Sequence, residues 1–218
     1  MKDVVIWSTG GLAEEIYMHI KEDNAFNVIA FCANKEFCTE ESFMSLPLIA
    51  DDKLEILYPP DKFDIIIALG FKQMNSFREQ KFKDLKQRGY YIQNYIHKSA
   101  VIHPSLKIGE GNIVLEAVKI GINCEIGNAN VILMGSCLSH NIILNNYSYL
   151  AVNTVLGGFV RVKNNCFLGL NSTILPYKTI EEKTLVGAGV VISDNTEPCE
   201  AYMAPKCVKL SKHSYDIF

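Results

Sequence analysis

From Ile102 onward an aliphatic residue returns at every sixth position: Ile108, Val114, Ile120, Ile126, Ile132, Leu138, Leu144, Leu150, Leu156, Val162, Leu168, Ile174, Ile180, Val186 and Ile192 follow without a break. A helix repeats about every 3.6 residues and a strand about every 2, so a strict period of six excludes the first and is more than the second. It fits short strands joined by corners in a parallel β-helix, each strand-plus-corner laying one aliphatic side chain into a central core. Glycines follow several of these residues (Gly109, Gly121, Gly127, Gly157, Gly169, Gly187), which suits tight corners between faces. Four positions after the aliphatic stand Val118, Cys124, Ser136, Thr154, Val160, Cys166, Ser172, Thr184 and Val190, small or β-branched residues that would share the interior.

Residues 1 to about 92 lack this repeat. DVVIWS reads as a strand, GGLAEEIYMHIKED as an amphipathic helix, FNVIAF as a second strand and FDIIIALG as a third, buried one. SFREQKFKDLKQRG is then a helix ending at Gly89, and YYIQNYI returns as strand. Alternating strand and helix predicts a small parallel α/β domain. Its first loop, STGG, lies where a Rossmann-like fold offers backbone N–H groups to a phosphate at a helix N-terminus. Gly10 and Gly11 are fewer glycines than the full dinucleotide fingerprint requires, and a tight turn capping the helix is the alternative reading.

Nearly half of the 218 residues are apolar, enough for a real core. A net charge of −3 with scattered Lys and Arg gives no basic footprint, so neither nucleic acid nor an anionic membrane is expected as a partner. The N-terminal MKDVVIWSTGG resembles neither a signal peptide nor a membrane span, which makes a cytoplasmic location the default. Seven cysteines without a CxxC pair fit reduced, mostly buried thiols better than disulfides or zinc.

Four segments carry a family resemblance: NYIHKSAVIHPS (94–105), SHN (139–141), NNCFLGLNSTILP (164–176) and LVGAGVVI (185–192). Together they resemble the PglD/NeuD-like sugar acyltransferases of the left-handed β-helix, hexapeptide-repeat class. The resemblance covers nearly the whole chain. It implies a Rossmann-like nucleotide-sugar-binding domain over 1–92, a linker over 93–100, a left-handed β-helix acyltransferase domain over 101–195 and a tail over 196–218. With three strands per coil, the sixteen aliphatics make about five coils, and the family assembles as a homotrimer.

By position, the resemblance assigns the nucleotide site to Ser8, Thr9, Gly10 and Gly11 in the first loop, Asn34 and Lys35 after the second strand, and Gly70, Phe71 and Lys72 after the third. Asn34 and Lys35 stand where UDP-binding relatives commonly have acidic residues. Asn75 and Arg78 match a polar pattern of a subgroup acting on deoxyamino sugars; capping or surface roles are the alternative. Among the five histidines, His19 reads as semi-buried on the first helix, His97 and His103 as flanking the junction, and His213 as solvated in the tail.

His140 is the general base that the resemblance implies. It lies two residues after the interior Leu138 and so points away from the core. Imidazole titrates near neutrality and is suited to accept the proton of a sugar amine attacking a thioester. Asn141 replaces the Glu or Asp common in relatives; it can hydrogen-bond but offers no counter-charge. Gly158 aligns with the family's backbone N–H donor to the tetrahedral oxyanion, although Gly157 and Gly158 also suit a corner. Acetyl-CoA, the implied acyl donor, would meet Tyr149, Gly158, Leu170 and Ala188, with Lys206 or Lys209 near its phosphates; Tyr149 stands where histidine is commoner.

These features imply an acetyl-CoA-dependent N-acetyltransferase acting on the 4-amino group of a nucleotide-linked 4-amino-4,6-dideoxy sugar for surface polysaccharide or glycan. A NeuD-type O-acyltransferase and a non-catalytic trimeric nucleotide-sugar-binding scaffold are the alternatives. A zinc hydratase needs three imidazoles where the repeat supplies only His103 and His140, so no metal is expected.

Overall fold

The computed structural model describes residues 3–207, 209 and 211. His213 and most of the expected tail beyond residue 207 lie outside the described residues.

The front of the chain forms β1 (Asp3–Trp7), α1 (Gly11–Asp23), β2 (Asn27–Ala33), β3 (Ser42–Phe43), β4 (Leu46–Ala50), α2 (Leu54–Leu57), β5 (Asp64–Ile67) and α3 (Ser76–Gln87). The sheet order is β3-β4-β2-β1-β5, parallel except for the β3–β4 hairpin at one edge. The hairpin and α2 have no counterpart in the sequence reading. β1 and β5 read as uninterrupted apolar runs because both faces are covered: Val4, Val5, Ile6, Ile65 and Ile66 are fully buried. α1 packs Ala13, Ile16 and Ile20 against this sheet and ends at Asn24, whose left-handed conformation (φ 51°) closes the helix.

YYIQNYI does not form one strand. Ile92 makes a single parallel bridge to Ile65, while Tyr95–Ile96 pairs with Ile113–Val114. The segment is therefore shared between two sheets, and its alternating apolar residues serve as the seam.

From Tyr95 the chain winds as a three-faced parallel β-helix. The first face runs from Tyr95–Ile96 to Ala201–Tyr202, the second from Val101–Ile102 to Val191–Ile192, and the third from Lys107–Ile108 to Thr179–Ile180. Each strand is two residues long, and partners in successive coils lie eighteen positions apart, as in Lys119↔Cys137 and Ile120↔Leu138, except at the last pair, Leu185↔Ala201. The parallel β-helix expected from the six-residue period, left-handed as the family resemblance implied, is the architecture of this region. Its aliphatic ladder forms one continuous core from Val114 to Ile192, joined by Val118, Cys124, Val160 and Cys166. Ser136, Thr154, Ser172 and Thr184 are also fully buried.

The corners explain the remaining positions of the period. Positive φ falls on the third residue of each corner from Gly111 to Gly189: Gly111, Ala117, Asn123, Ala129, Gly135, Asn141, Tyr147, Asn153, Phe159, Asn165, Asn171, Tyr177, Lys183 and Gly189. The glycines that follow the aliphatics are not these residues. They are required by close approach: a Cβ at Gly169 would lie 2.7 Å from the backbone of Ala188 in the next coil.

The thiols are free and less buried than expected. Cys32, Cys124 and Cys166 are buried, Cys38 and Cys137 half-buried, and Cys199 and Cys207 exposed. Among the described residues no helix is long and apolar enough to cross a membrane.

Candidate functional site

Two separate places gather the residues singled out from the sequence. The first is a cavity of about 520 Å³ at the carboxyl ends of β1, β2 and β5, where parallel α/β sheets bind ligands. Ser8, Thr9, Gly10, Asn34, Gly70 and Lys72 line it, together with Trp7, Glu36, Phe37, Gln73 and Phe77, which the sequence reading missed. Ser8 holds φ 142°, a region that costs a non-glycine residue about 1–3 kcal/mol, and its Oγ accepts the Gly10 N–H at 3.2 Å. Gly11, Lys35 and Phe71 are not among the lining residues. Phe71 turns to the β-helix, 5.2 Å from Tyr149 and 4.8 Å from Phe167 between ring centres.

One wall of this cavity is braced by Asp51. Its carboxylate accepts hydrogen bonds from Trp7 Nε1 (2.7 Å), Lys81 Nζ (3.1 Å) and Arg88 Nη1 (3.1 Å). Burial pushes the Asp51 carboxyl up, but these donors and charges outweigh it and hold the group below the usual carboxylate range.

Asn75 stands at the N-cap of α3 but makes no side-chain capping bond, and neither Asn75 nor Arg78 is a surface residue: both are fully buried. Arg78 donates from Nε to Ala129 O (2.8 Å), from Nη1 to Leu69 O (3.1 Å) and Gly70 O (2.7 Å), and from Nη2 to Tyr147 O (2.9 Å) and Ser148 O (3.0 Å). Asn75 Oδ1 accepts from Arg78 Nη2, and its amide donates to Cys166 O. This is the joint between the front of the chain and the β-helix. No signal in the helix pattern of SFREQKFKDLKQ marks Arg78 as buried.

The second place is the corner between the second and third faces. There His140 is exposed on the outer surface, two residues beyond the interior Leu138. Asn141, in the left-handed corner position that asparagine tolerates well, brings its Oδ1 to 3.1 Å from His140 Nδ1. With the amide oxygen accepting the Nδ1 proton, the Nε2 lone pair is free. Gly158 lies one coil on. A Cβ there would sit 2.5 Å from His140 Cε1 and 2.6 Å from Nε2, so the imidazole occupies the space that the glycine leaves. Phe159 meets the ring edge-on at 5.3 Å and stacks in turn on Tyr177 at 4.9 Å. Among the described residues the Gly158 N–H has no acceptor within the chain.

The other two β-helix histidines have the opposite arrangement. The N–H of Ser99 donates to His97 Nδ1 and that of Ser105 to His103 Nδ1, each at 3.2 Å. A ring nitrogen that accepts a backbone N–H carries no proton, so the proton of the neutral ring sits on Nε2. His19, His97 and Glu116 bring ligand-type atoms within 4.8 Å of one another. The geometry at His97 does not fit coordination through Nε2, because a metal-bound imidazole donates, not accepts, at its second nitrogen. His19 Nε2 instead lies 3.0 Å from Glu116 Oε1.

The residues expected around the acyl donor are not brought together within one chain. Leu170 and Ala188, both exposed, follow each other in successive coils along the corner between the first and second faces. The second face separates them from His140 and Gly158. Tyr149 lies on the first face, only 8% exposed beneath Phe71 and stacked on Phe167. Lys206 is exposed after the last strand.

No family model matches the sequence, and no curated protein does. Solved structures do. The perosamine N-acetyltransferase PerB from Caulobacter crescentus, in complex with CoA and GDP-perosamine, is 26% identical, with 94% of this chain and 95% of that one covered at a TM-score of 0.84. Variants of the same enzyme in which one histidine is replaced by alanine or asparagine superpose equally well. The acetyltransferase domain of PglB from Neisseria gonorrhoeae matches at 19% identity, 94% and 97% coverage and a TM-score of 0.85. WeeI from Acinetobacter baumannii matches at 18% identity, 92% and 94% coverage and a TM-score of 0.77. The last two speak to the fold alone. The structural neighbours of this chain thus include nucleotide-amino-sugar N-acetyltransferases, and the likeness extends over both of its parts.

Proposed function

We propose that the chain is an acetyl-CoA-dependent N-acetyltransferase acting on the 4-amino group of a nucleotide-linked 4-amino-4,6-dideoxy sugar, a cytoplasmic enzyme of surface polysaccharide or glycan synthesis. The observation that carries the reading is the arrangement at His140. Of the three imidazoles on the β-helix, it alone pairs Nδ1 with a side-chain amide oxygen, which leaves the Nε2 lone pair free. The similarity to an enzyme of that chemistry, over 94% of the chain, gives this arrangement its context.

The chemistry follows from the parts. The neutral sugar amine attacks the thioester carbonyl. Nε2 of His140 accepts the proton that the amine must lose, and the imidazolium returns it to the departing thiolate. Asn141 holds the ring by its Nδ1–H without adding charge. The free Gly158 N–H, beside the ring, is available to the developing oxyanion. Residues 1–92 would supply the nucleotide cavity and residues 101–195 the acyl-transfer corner, with 93–100 joining them.

The same geometry supports a homotrimer. The front of the chain covers the first face of the β-helix, whereas His140 stands on the corner opposite that face. The cavity and the base of one chain therefore look in different directions, and a neighbouring copy is needed to join them. The second face offers apolar side chains on its outer side, with Val101, Val155 and Val191 exposed.

Incubating the protein with acetyl-CoA and GDP-, UDP- and dTDP-linked amino and hydroxyl sugars, with products read by mass spectrometry, tests the reading. Acetylation of an amino sugar is expected, and it should vanish in His140→Ala. Transfer to hydroxyl sugars only would make the chain a NeuD-type O-acyltransferase; binding without transfer would make it a scaffold. Sedimentation equilibrium tests the trimer.

A further inference from the structure

A guanidinium in the interior with no carboxylate beside it calls for an explanation. Arg78 is fully exposed to no solvent at all, and among the described residues no acidic group pairs with it. Its donors are satisfied by five main-chain carbonyls and Asn75 Oδ1. Burial lowers its pKa to about 9, which still leaves it charged at neutral pH. Three of the carbonyls, from Ala129, Tyr147 and Ser148, belong to the β-helix. The other two, from Leu69 and Gly70, belong to the loop that lines the cavity.

The consequence lies on the other side of those two peptide groups. Among the described residues no peptide bond is cis. In a trans peptide the C=O and the following N–H point in opposite directions. Arg78 takes the Leu69 and Gly70 carbonyls from the β-helix side, so the N–H groups of Gly70 and Phe71 are turned away from that side; Leu69, Gly70 and Lys72 line the cavity, and Phe71 stands between them in sequence. Among the described residues neither N–H has an acceptor. Two adjacent N–H groups turned the same way at the edge of a pocket, with Lys72 among its lining residues, suit an anion-binding concavity.

We propose that Arg78 is a positioning residue for the phosphates of the nucleotide sugar. It clamps the Leu69–Gly70 carbonyls to the β-helix and thereby fixes the Gly70 and Phe71 N–H groups as phosphate donors. The proposal rests on the reading of this cavity as the nucleotide site. It adds a second phosphate-binding element, facing the Ser8–Gly11 loop across the sheet end, that is set from the β-helix and not from the sheet itself. A lysine cannot replace Arg78, because its three donors cannot satisfy six acceptors spread around a planar fork.

Two measurements test it. In the first, the protein labelled with ¹⁵N-glycine is titrated with GDP, UDP, dTDP and their parent nucleosides. The Gly70 amide should shift strongly with whichever diphosphate binds and little with its nucleoside. In the second, Arg78→Lys and Arg78→Met are compared with wild type. KM for the nucleotide sugar should rise at least tenfold, with KM for acetyl-CoA within twofold and nucleoside affinity unchanged. If wild type binds a diphosphate while Gly70 stays still and Gly10 and Gly11 move, the proposal is wrong and the site stands. Unchanged KM in folded Arg78 variants would overturn it equally. If wild type binds none of the three diphosphates, the nucleotide reading itself fails. Should both variants fail to fold, the wild-type titration decides alone.

Discussion

The two ends of this molecule hold their polar groups in opposite ways. In the β-helix they form ladders in register: Asn94 Oδ1 accepts the Asn112 N–H, Asn112 Oδ1 the Asn130 N–H and Asn130 Oδ1 the Ser148 N–H, each link eighteen residues on. In the front of the chain the group beside the cavity is a knot, in which Asp51 ties Trp7, Lys81 and Arg88, and Asp84 also binds the last two. A ladder shares its load over many equal rungs, so an outward residue such as His140 carries none of it. A knot concentrates the load beside the cavity. The difference teaches that chemistry and stability are separable at the corner and entangled at the pocket.

That contrast can be broken most directly at His140. His140→Ala should lower kcat about 10²–10⁴-fold, the usual worth of a positioned general base, with unfolding free energy within about 0.5 kcal/mol of wild type, as for an exposed residue. A large loss of stability in urea titrations would contradict the separation. Gly158→Ala comes next. Its methyl must displace the imidazole, and a misplacement of about 1 Å costs roughly 10²-fold in rate; a crystal structure of the variant should find His140 in a new rotamer.

Asp51→Asn should behave differently from both, losing about 1–3 kcal/mol at pH 7 and raising KM for the nucleotide sugar. The sign follows from its lowered pKa. The contribution of Asp51 is complete above the ordinary carboxylate value of 3.8 and is lost as pH falls through the lower folded value. The gap between variant and wild type in chemical denaturation should therefore close in strong acid. Asn141→Asp adds the missing counter-charge and should move the acid limb of the pH–rate profile upward by about 1 unit. His103→Ala, which removes a corner anchor of the opposite tautomer, should leave kcat within about twofold, consistent with a substitution away from the reacting atoms.

The β-helix was legible because its physics is local and repeated. Leu138 and Leu144 declare the interior at every sixth step, and His140 is outside it by count alone. The reason for the glycines was not legible in the same way. Gly109 and Gly157 look like turn residues in sequence, but the neighbouring coil is what excludes a side chain there. Asn141 shows the converse: a substitution for a carboxylate in the sequence, it occupies a corner position where other asparagines of this chain also sit.

The pocket was only partly legible. Ser8 and Gly10 could be placed because they lie between an apolar strand and a helix, and Gly70 because the family resemblance implied it, whereas Phe37, Gln73 and Phe77 reach the cavity from connections with no pattern of their own. Arg78 was singled out by the family resemblance, but its burial was hidden. It sits in a polar helix whose charges read as a solvated face.

By itself the sequence determined the coil, its period and the outward display of His140, because a repeat of six admits one way of burying its aliphatics. The tertiary structure alone decided which histidine has a free Nε2 lone pair, what Arg78 holds, and that His140 stands on the corner opposite the face that the front of the chain covers. Those outcomes depend on groups tens of residues distant meeting at hydrogen-bond range, and no periodicity in the chain encodes such a meeting.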